Sequence, residues 1–446
     1  MSTVAAPESS LNLLATILSD ESFKPVQTAN LAETGLSESL VDSLLVKSLL
    51  IAGNASGRAL ADELGLPMGV IEPQLHKLRN RQWAAHTGSA PLNDYYYALT
   101  DQGRQRAQSH LEACAYIGAA PVPLADYVVS VEAQSVRGEA PRRKKLAEAF
   151  HDISIEAALF DELGPAVNSG AGMFLYGAPG NGKTTLAERI TRCFGQQVWL
   201  PRTLIEDGQI IKLYDPAYHQ AVDDSPGSLL KQNDHDRRWI KIRRPTVIAG
   251  GELTMDALEI RHDARANVSE APLQLKSNCG SLLIDDFGRQ RMPPGELLNR
   301  WIVPLEKRYD FLMLASGKKI QVPFEQLILF STNLEPEDLV DEAFLRRIPY
   351  KVNIADPSEN EFHRLFEFYA PKLGFRYCRE AIDYLLQTHY RPSRRGLRRC
   401  HPRDLLGQIR NYCVYNELPL ELLPEYFDRA IKGYFTSLAG AGSKRG

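Results

Sequence analysis

The sequence lacks the features that would place it across a membrane or in an oxidising compartment. Its longest strongly apolar stretch, Leu44–Ala52, contains Lys47 and is far shorter than the ~20 residues of a membrane-spanning helix. The six cysteines include no C-x-x-C pair, which argues against a zinc cluster or a redox motif and favours reduced thiols. No basic residue precedes an apolar run near the N-terminus, so we expect a cytoplasmic protein without a secretory signal.

The chain also lacks a large net charge. The 446 residues contain 52 Lys and Arg against 55 Asp and Glu, which leaves −3 and excludes a chain-wide basic field that would attract nucleic acid. The small total hides differences between segments, however, because residues 1–115 carry a net charge of −4 and residues 357–446 carry a net charge of +5. With 44% hydrophobic residues the chain can form packed cores, and its length predicts about three domains.

Residues 1–115 are predicted to form a helical unit with a hairpin. Apolar residues recur at helical spacing before a break at Gly65, and a second helix is predicted around Val70–Leu78. Two short strands, at 83–87 and 95–99, and a further helix follow. The stretch Tyr97–Arg104 resembles the wing-to-helix passage of bacterial winged-helix regulators, which implies a winged helix-turn-helix-like domain.

Two roles remain open for this unit. Its second helix carries basic side chains that could contact DNA phosphates: His76, Lys77, Arg79 and Arg81. The segment is net acidic and Pro73 interrupts the helix, so we favour docking of a protein or oligomerisation over DNA binding. Residues 116–150 are rich in proline and glycine and are predicted to be a linker.

The strongest motif is a phosphate-binding loop with the pattern G-x-x-x-x-G-K-[ST]. A predicted strand, Met173–Tyr176, precedes it and a predicted helix follows. Small loop residues let backbone N–H groups surround phosphates, Lys183 is predicted to reach the β- and γ-phosphates, and the Thr184 hydroxyl to bind Mg²⁺. The nucleotide-binding residues are predicted to be Gly177, Ala178, Pro179, Gly180, Asn181, Gly182, Lys183, Thr184 and Thr185.

Two further predicted strands end in polar residues. Asp285 and Asp286 follow the apolar run Ser281–Ile284, and we expect Asp285 to hold Mg²⁺ and Asp286 to polarise the attacking water. Asn333 follows the strand at 327–331 and is predicted to contact both the γ-phosphate and that water. The wide gap before Asp285 predicts an insert within residues 205–275.

The next segment, Asp341–Arg347, contains a D-x-A-x-x-R-R pattern. Together with the phosphate loop, the paired acids and Asn333, it resembles the AAA+ ATPase superfamily of P-loop NTPases. The resemblance implies a three-layer α/β core at 151–356 with a parallel sheet. It also implies ATP and Mg²⁺ as ligands, a homo-oligomer that is hexameric in the family, and Arg346 and Arg347 as arginine fingers for a neighbouring subunit.

Residues 357–446 are predicted to form four helices that resemble the AAA+ lid subdomain, at Glu361–Leu373, Glu380–Thr388, Asp404–Glu417 and Pro424–Ser437. The run Arg391–Arg403 holds six arginines and no acid. In the family a sensing arginine begins the third lid helix, and Arg403 occupies that place. Four further arginines, Arg394, Arg395, Arg398 and Arg399, could contact nucleic acid, acids of a neighbouring subunit or water, and we favour the last two. The family often has Asp-Glu where this chain has Asp285-Asp286, which predicts slow hydrolysis.

Three functions fit these patterns. The first is a ring-forming ATPase that remodels an unknown protein partner, and the second is a DNA-associated loader or regulator. The third is a monomeric P-loop switch or kinase, which the absence of an Asn-Lys-x-Asp guanine motif disfavours. Tyr214 stands at the offset of a substrate-threading aromatic loop, although packing within the insert is the simpler interpretation. No metalloprotease motif is present.

Overall fold

The computed structural model describes residues 23–136, 141–151, 153, 157–195, 197–222, 235–339 and 342–435. None of the helices in these ranges is long and apolar enough to cross a membrane. Asp341, the first residue of the predicted D-x-A-x-x-R-R segment, lies outside the described residues.

The N-terminal unit combines helices with a small antiparallel sheet. Within the described residues it consists of α1 (Glu38–Ala52), β1 (Ala55–Ser56), α2 (Gly57–Leu64), α3 (Met68–Asn80), β2 (Ala84–Ala90), β3 (Asp94–Leu99) and α4 (Asp101–Ala113). The strands are ordered β1-β3-β2. Hydroxyl groups of Ser37, Ser56 and Thr100 accept backbone N–H bonds at the starts of α1, α2 and α4, where helices leave donors unpaired. Pro73 lies inside α3 without ending it.

A connecting region leads from this unit into a central α/β layer. The region contains β4 (Val122–Pro123), α5 (Leu124–Ala133) and α6 (Arg143–Ala149). The central layer contains α7 (Ala157–Ser169), β5 (Met173–Tyr176), α8 (Lys183–Thr191), β10 (Thr246–Ala249), β13 (Ser281–Ile284), α10 (Pro294–Lys307), β16 (Leu327–Thr332) and β17 (Tyr350–Asn353).

The central sheet is parallel, with strand order β10-β13-β16-β5-β17. Strand β16 therefore lies between the strand that precedes the phosphate loop and the strand that precedes the two aspartates. Its residues are buried along its whole length, as expected for a strand covered on both faces. The carboxyl ends of β5, β13 and β16 meet at one edge, which is where the motif residues follow.

The predicted insert forms a separate β-rich body. Its strands are β6 (Gln197–Pro201), β7 (Thr203–Glu206), β8 (Gln209–Lys212), β9 (Trp239–Arg243), β11 (Arg261–Asp263), β12 (Val268–Glu270), β14 (Tyr309–Met313) and β15 (Lys319–Pro323), together with β4. A five-stranded sheet runs β11-β12-β8-β7-β4. Two further antiparallel pairs join β6 to β9 and, as a hairpin, β14 to β15. The short helix α9 (Leu273–Lys276) leads back to the core.

This body differs from the prediction in extent. It includes the β14–β15 hairpin beyond residue 275 and strand β6, which begins before residue 205 and pairs with β9. It also absorbs part of the predicted linker, because β4 pairs with β7 and Tyr127 of α5 is buried among the insert's apolar residues. The described residues 116–136 therefore form a packed strand and helix and not an exposed connector.

The N-terminal unit is docked on the insert. The guanidinium of Arg238, which is 2% exposed, pairs with Asp236 at 2.7 Å and donates to the backbone carbonyls of Thr34 and Pro121. A Cβ on Gly65, in the turn between α2 and α3, would lie 2.9 Å from the Arg237 carbonyl. The turn of the predicted helix-turn-helix is thus covered by the insert.

The C-terminal region, called the lid below after the prediction for residues 357–446, is a bundle of helices. Its helices are α13 (Glu359–Lys372), α14 (Arg379–Leu385), a π-helical turn at Leu386–Tyr390, α15 (His401–Tyr415) and α16 (Pro424–Tyr434). They share an apolar core centred on Phe362, Phe366 and Phe427. These elements agree with the helices predicted from the sequence to within a few residues. The short helices α11 (Pro336–Leu339) and α12 (Glu342–Leu345) precede the lid.

Candidate nucleotide site

The phosphate loop turns tightly between β5 and α8. Gly177, Gly180 and Gly182 all have positive φ values, a conformation that glycine adopts at little cost. A Cβ on Gly177 would lie 2.6 Å from the Ile354 carbonyl, so the loop packs closely on the chain that follows β17. This geometry exposes the N-terminal end of α8 to the loop, where backbone N–H groups favour anions.

Lys183 lies folded over the loop. Its ammonium donates to the carbonyls of Gly177 and Ala178 at 2.9 and 3.1 Å and to Asn333 Oδ1 at 2.7 Å. Burial lowers the pKa of Lys183, and the nearby carboxylates of Asp285 and Asp286 act in the opposite direction. The loop therefore holds a cation next to the site where phosphates are predicted to bind.

Thr184 and Asp285 meet across the sheet edge. The Thr184 hydroxyl donates to Asp285 Oδ2 at 2.8 Å, although the two residues follow different strands. A hydroxyl and a carboxylate oxygen side by side fit Mg²⁺, which prefers oxygen ligands and completes its shell with water and substrate phosphates. No cluster of three or more His, Cys, Asp or Glu side chains that could hold a metal occurs among the described residues, so an all-protein metal cage is not found there.

Asp286 and Asn333 complete the polar edge. Asn333 Nδ2 donates to Asp286 Oδ1 at 3.1 Å, while its Oδ1 accepts from Lys183. Asp286 has a φ of +49°, an uncommon conformation for a residue other than glycine. Gln290, which belongs to no recognised sequence motif, supports this turn by donating to the carbonyls of Asp285 and Asp286.

A cavity of about 380 Å³ lies between this edge and the lid. Lys183, Thr184, Thr185 and both aspartates line it together with Asn333, and Leu159, Leu365 and Tyr369 supply an apolar part. Arg403, the predicted sensing arginine, lines the cavity as well and is paired with Asp404 at 3.0 Å. Arg399 also lines the cavity. The sequence did not predict this role, because nothing distinguishes Arg399 from the other arginines of the run.

Arg346 and Arg347 do not line this cavity. Arg347 bonds to Glu306 of the core at 2.7 Å. Arg346 is exposed, and within the described part of the chain no acidic side chain pairs with it. Neither guanidinium is thus among the groups that surround the chain's own nucleotide site.

Several side chains of the arginine-rich run Arg391–Arg403 contact acidic or aromatic side chains of the same chain. Arg391 pairs with Glu359 at 2.8 Å, Arg398 pairs with Asp356, and Arg399 pairs with Glu361. The guanidinium of Arg395 lies 3.6 Å from the ring centre of Phe435. The expectation that Arg398 and Arg399 would face a neighbouring subunit or water is therefore corrected, since acids of the same chain pair with both.

Two of the basic residues predicted to contact DNA are also paired with acids of the same chain. Lys77 pairs with Glu38 at 2.6 Å, and Arg81 pairs with Glu38 at 3.0 Å and with Asp42 at 2.7 Å. His76 and Arg79 remain exposed on α3. The capacity of this helix to neutralise DNA phosphates is therefore smaller than its sequence suggests.

Tyr214 packs inside the insert. Its ring is stacked on His219 at 5.8 Å, and the Arg202 guanidinium lies 5.8 Å from its centre. The side chain is half-buried against the insert core. This arrangement agrees with the packing interpretation of Tyr214.

Comparisons with known proteins give a family model for the lid alone. Residues 358–433 match a domain of unknown function, DUF8689, and no curated protein matches the chain. Among solved structures, NtrX from Brucella abortus in complex with ADP is 14% identical, with a TM-score of 0.39 over 73% of this chain and 65% of that one. A mutant of RuvB from Thermotoga maritima is 12% identical, with a TM-score of 0.35 over 67% of this chain and 72% of that one. Similarity at this level does not assign a function to this chain.

Proposed function

We propose that the chain is an ATPase of the AAA+ type that binds ATP with Mg²⁺, hydrolyses it in an oligomer, and uses the energy to remodel a protein partner. The observation that carries the proposal is the convergence of three strand ends. Lys183 contacts Asn333 at 2.7 Å and Thr184 contacts Asp285 at 2.8 Å, which brings the phosphate loop, the metal-binding carboxylate and the polar strand end to one edge.

The residues divide the chemistry among them. Lys183 and the backbone N–H groups of the loop hold the phosphates, and Thr184 and Asp285 hold Mg²⁺, which offsets phosphate charge when bound. Asp286 orients and polarises the attacking water, and its partner Asn333 keeps that carboxylate aligned. Arg403, on the lid side of the cavity, responds to the presence of the γ-phosphate.

The site is completed by a neighbouring subunit. Arginine fingers stabilise the negative charge that spreads over a transferring phosphoryl group. Arg346 is the better candidate finger, because it is exposed and Arg347 is bonded to Glu306. A homo-oligomer, hexameric by analogy with the family, would bring this arginine to the next nucleotide.

The N-terminal unit acts as the adaptor for the protein partner. Its fixed contact with the insert supports this role, since Arg238 and Gly65 tie the two together. DNA binding is the second candidate and is supported by the exposed His76 and Arg79 on α3. It is weakened by the pairing of Lys77 and Arg81 with Glu38.

The test uses the full-length protein. Phosphate release from ATP and from GTP, with and without Mg²⁺, tests the reaction, and light scattering with and without ATP tests the oligomer. Magnesium-dependent ATP hydrolysis together with an ATP-dependent increase in mass is expected. Absence of phosphate release would reject the proposed reaction, whereas hydrolysis by a species that stays monomeric would reject only the shared site.

A further inference from the structure

The lid is attached to the phosphate loop at backbone level. The Gly180 carbonyl accepts a hydrogen bond from the Cys400 N–H at 3.0 Å. A Cβ on Gly180 would lie 2.6 Å from Cys400 Sγ, so only glycine lets the lid come this close. This contact joins the loop to the residue that directly precedes α15.

Asn181 strengthens this attachment with its side chain. It is 1% exposed, and its Nδ2 donates to the Ile354 carbonyl at 3.2 Å and to Asp356 Oδ1 at 2.8 Å. Its Oδ1 accepts from the Arg399 N–H at 3.3 Å. The motif G-x-x-x-x-G-K-[ST] leaves this position free, and here the side chain connects the loop to both the end of the core and the lid.

Asp356 extends the connection. It lies in the passage from β17 to the lid, and its second carboxylate oxygen, Oδ2, accepts from the Arg398 guanidinium. One carboxylate therefore contacts the phosphate loop on one side and the lid on the other. The neighbouring Arg399 pairs with Glu361 of α13, which fixes the same lid segment to the lid's first helix.

We propose that Asp356 is a positioning residue that, through Asn181 and Arg398, couples the conformation of the phosphate loop to the position of the lid. The proposal rests on the proposed function, since it concerns retention of nucleotide in that site. The lid segment that Asp356 holds includes Arg399, which lines the nucleotide cavity, and leads directly to Arg403, which does so too. Bound nucleotide then leaves only after these contacts open.

The experiment measures dissociation of a fluorescent ADP analogue from the full-length protein. Asp356→Ala removes the acceptors of Asn181 and Arg398 and is expected to speed dissociation about fivefold, because a lost hydrogen bond shifts such equilibria by about this factor. Asp356→Asn keeps an acceptor for Asn181 but loses the ion pair with Arg398, and is expected to give about a twofold change.

Glu359→Ala is the matched control. Glu359 is three residues away and pairs with Arg391 at 2.8 Å, but this pair does not contact the phosphate loop. Its loss is expected to leave the dissociation rate unchanged. Equal rates for Asp356→Ala and Glu359→Ala would overturn the proposal.

A second measurement separates positioning from a loss of folding. Hydrogen exchange of residues 396–403 with and without ADP is expected to show protection by nucleotide in the wild type and in Glu359→Ala, but not in Asp356→Ala. Retained protection in Asp356→Ala would also overturn the coupling. A wild-type protein that binds no nucleotide would instead reject the proposed function.

Discussion

Asn333 accepts a hydrogen bond from the Lys183 ammonium at 2.7 Å. Because β16 lies beside β5 in the sheet, a residue 150 positions later in the chain is brought to the phosphate loop. The same amide donates to Asp286, so one side chain bridges the cation that is predicted to bind phosphate and the carboxylate that is predicted to activate water.

Replacing Lys183 should abolish tight binding of ATP. Lys183→Ala removes the only side-chain cation that the described residues place in contact with the loop carbonyls, and charge-assisted bonds to phosphate are strong. We expect affinity to fall at least ~100-fold by calorimetric titration. Lys212→Ala, on an exposed position of the insert, is the control, and unchanged affinity of Lys183→Ala would disprove the site.

Replacing Asp286 should separate binding from turnover. Asp286→Asn keeps the shape of the side chain but removes the charge that polarises water, and loss of a general base lowers rates by about 10²–10⁴. ATP affinity should stay near the wild-type value while phosphate release falls. Asp338→Asn, an exposed acid on α11, should release phosphate normally. A fully active Asp286→Asn would place the base elsewhere.

Arg346 and Arg347 should differ in their effect. Arg346→Ala should lower hydrolysis by about 10³-fold, the lower end of known finger effects, and mixing with Lys183→Ala subunits should restore part of the activity. Arg347→Ala should lose less, because Arg347 is bonded to Glu306. The measurement is phosphate release over a series of mixing ratios. Failure of mixing to restore any activity would argue against a site shared between subunits.

The lid should become less stable in mild acid. Burial lowers the pKa of His401 from 6.5 to about 4, and its ring contacts the Tyr390 hydroxyl at 2.9 Å. The unfolded lid takes up a proton below pH 6.5 and the folded lid does not, so stability present above pH 6.5 is lost as the pH falls towards 4. The effect is on the order of 3 kcal/mol.

Hydrogen exchange of α15 at pH 7.5 and pH 5 measures this loss. The exchange must first be corrected for the intrinsic effect of pH on amide exchange. His401→Gln removes the titrating ring but keeps polar groups near Tyr390, so its stability should vary less between the two pH values. An equal pH dependence in both proteins would assign the effect to another group.

The N-terminal unit should bind duplex DNA weakly in the full-length protein. Lys77 and Arg81 are held by Glu38, and phosphate affinity depends on free positive charge. Glu38→Gln removes the acid that pairs with Lys77, while Arg81 stays paired with Asp42, and should strengthen salt-sensitive binding measured by anisotropy at two salt concentrations. Micromolar binding by the wild type would favour the DNA-associated function instead.

Local patterns were sufficient to predict where the strands around the candidate site end. The strand ends at Gly177, Asp285 and Asn333 were predicted from short apolar runs, because a buried strand and its terminal polar residue are adjacent in sequence. The partners of Arg398 and Lys77 were not predicted, since ion pairs between distant segments leave no local signal. The role of Asn181 was missed for the same reason, as its partner Asp356 lies far along the chain.

For the insert, the sequence predicted only that extra residues separate Lys183 from Asp285. The fold of the insert was not predicted, because its strands come from three separate parts of the chain and β4 contributes only two residues, too few to show a periodic pattern. A strand this short is defined by its neighbour and not by its own sequence. The strand propensities and hydrophobic patterns of the sequence therefore indicated that an insert is present, but not how it folds.

The pairing of Val122 with Leu204 has a consequence for how the protein can be divided. A shorter version that begins at residue 151 would lack β4 and would expose the outer edge of β7 together with the apolar residues that α5 covers. An uncovered strand edge is a template for intermolecular pairing. Such a fragment should aggregate, whereas one that begins before residue 122 should keep β7 paired with β4.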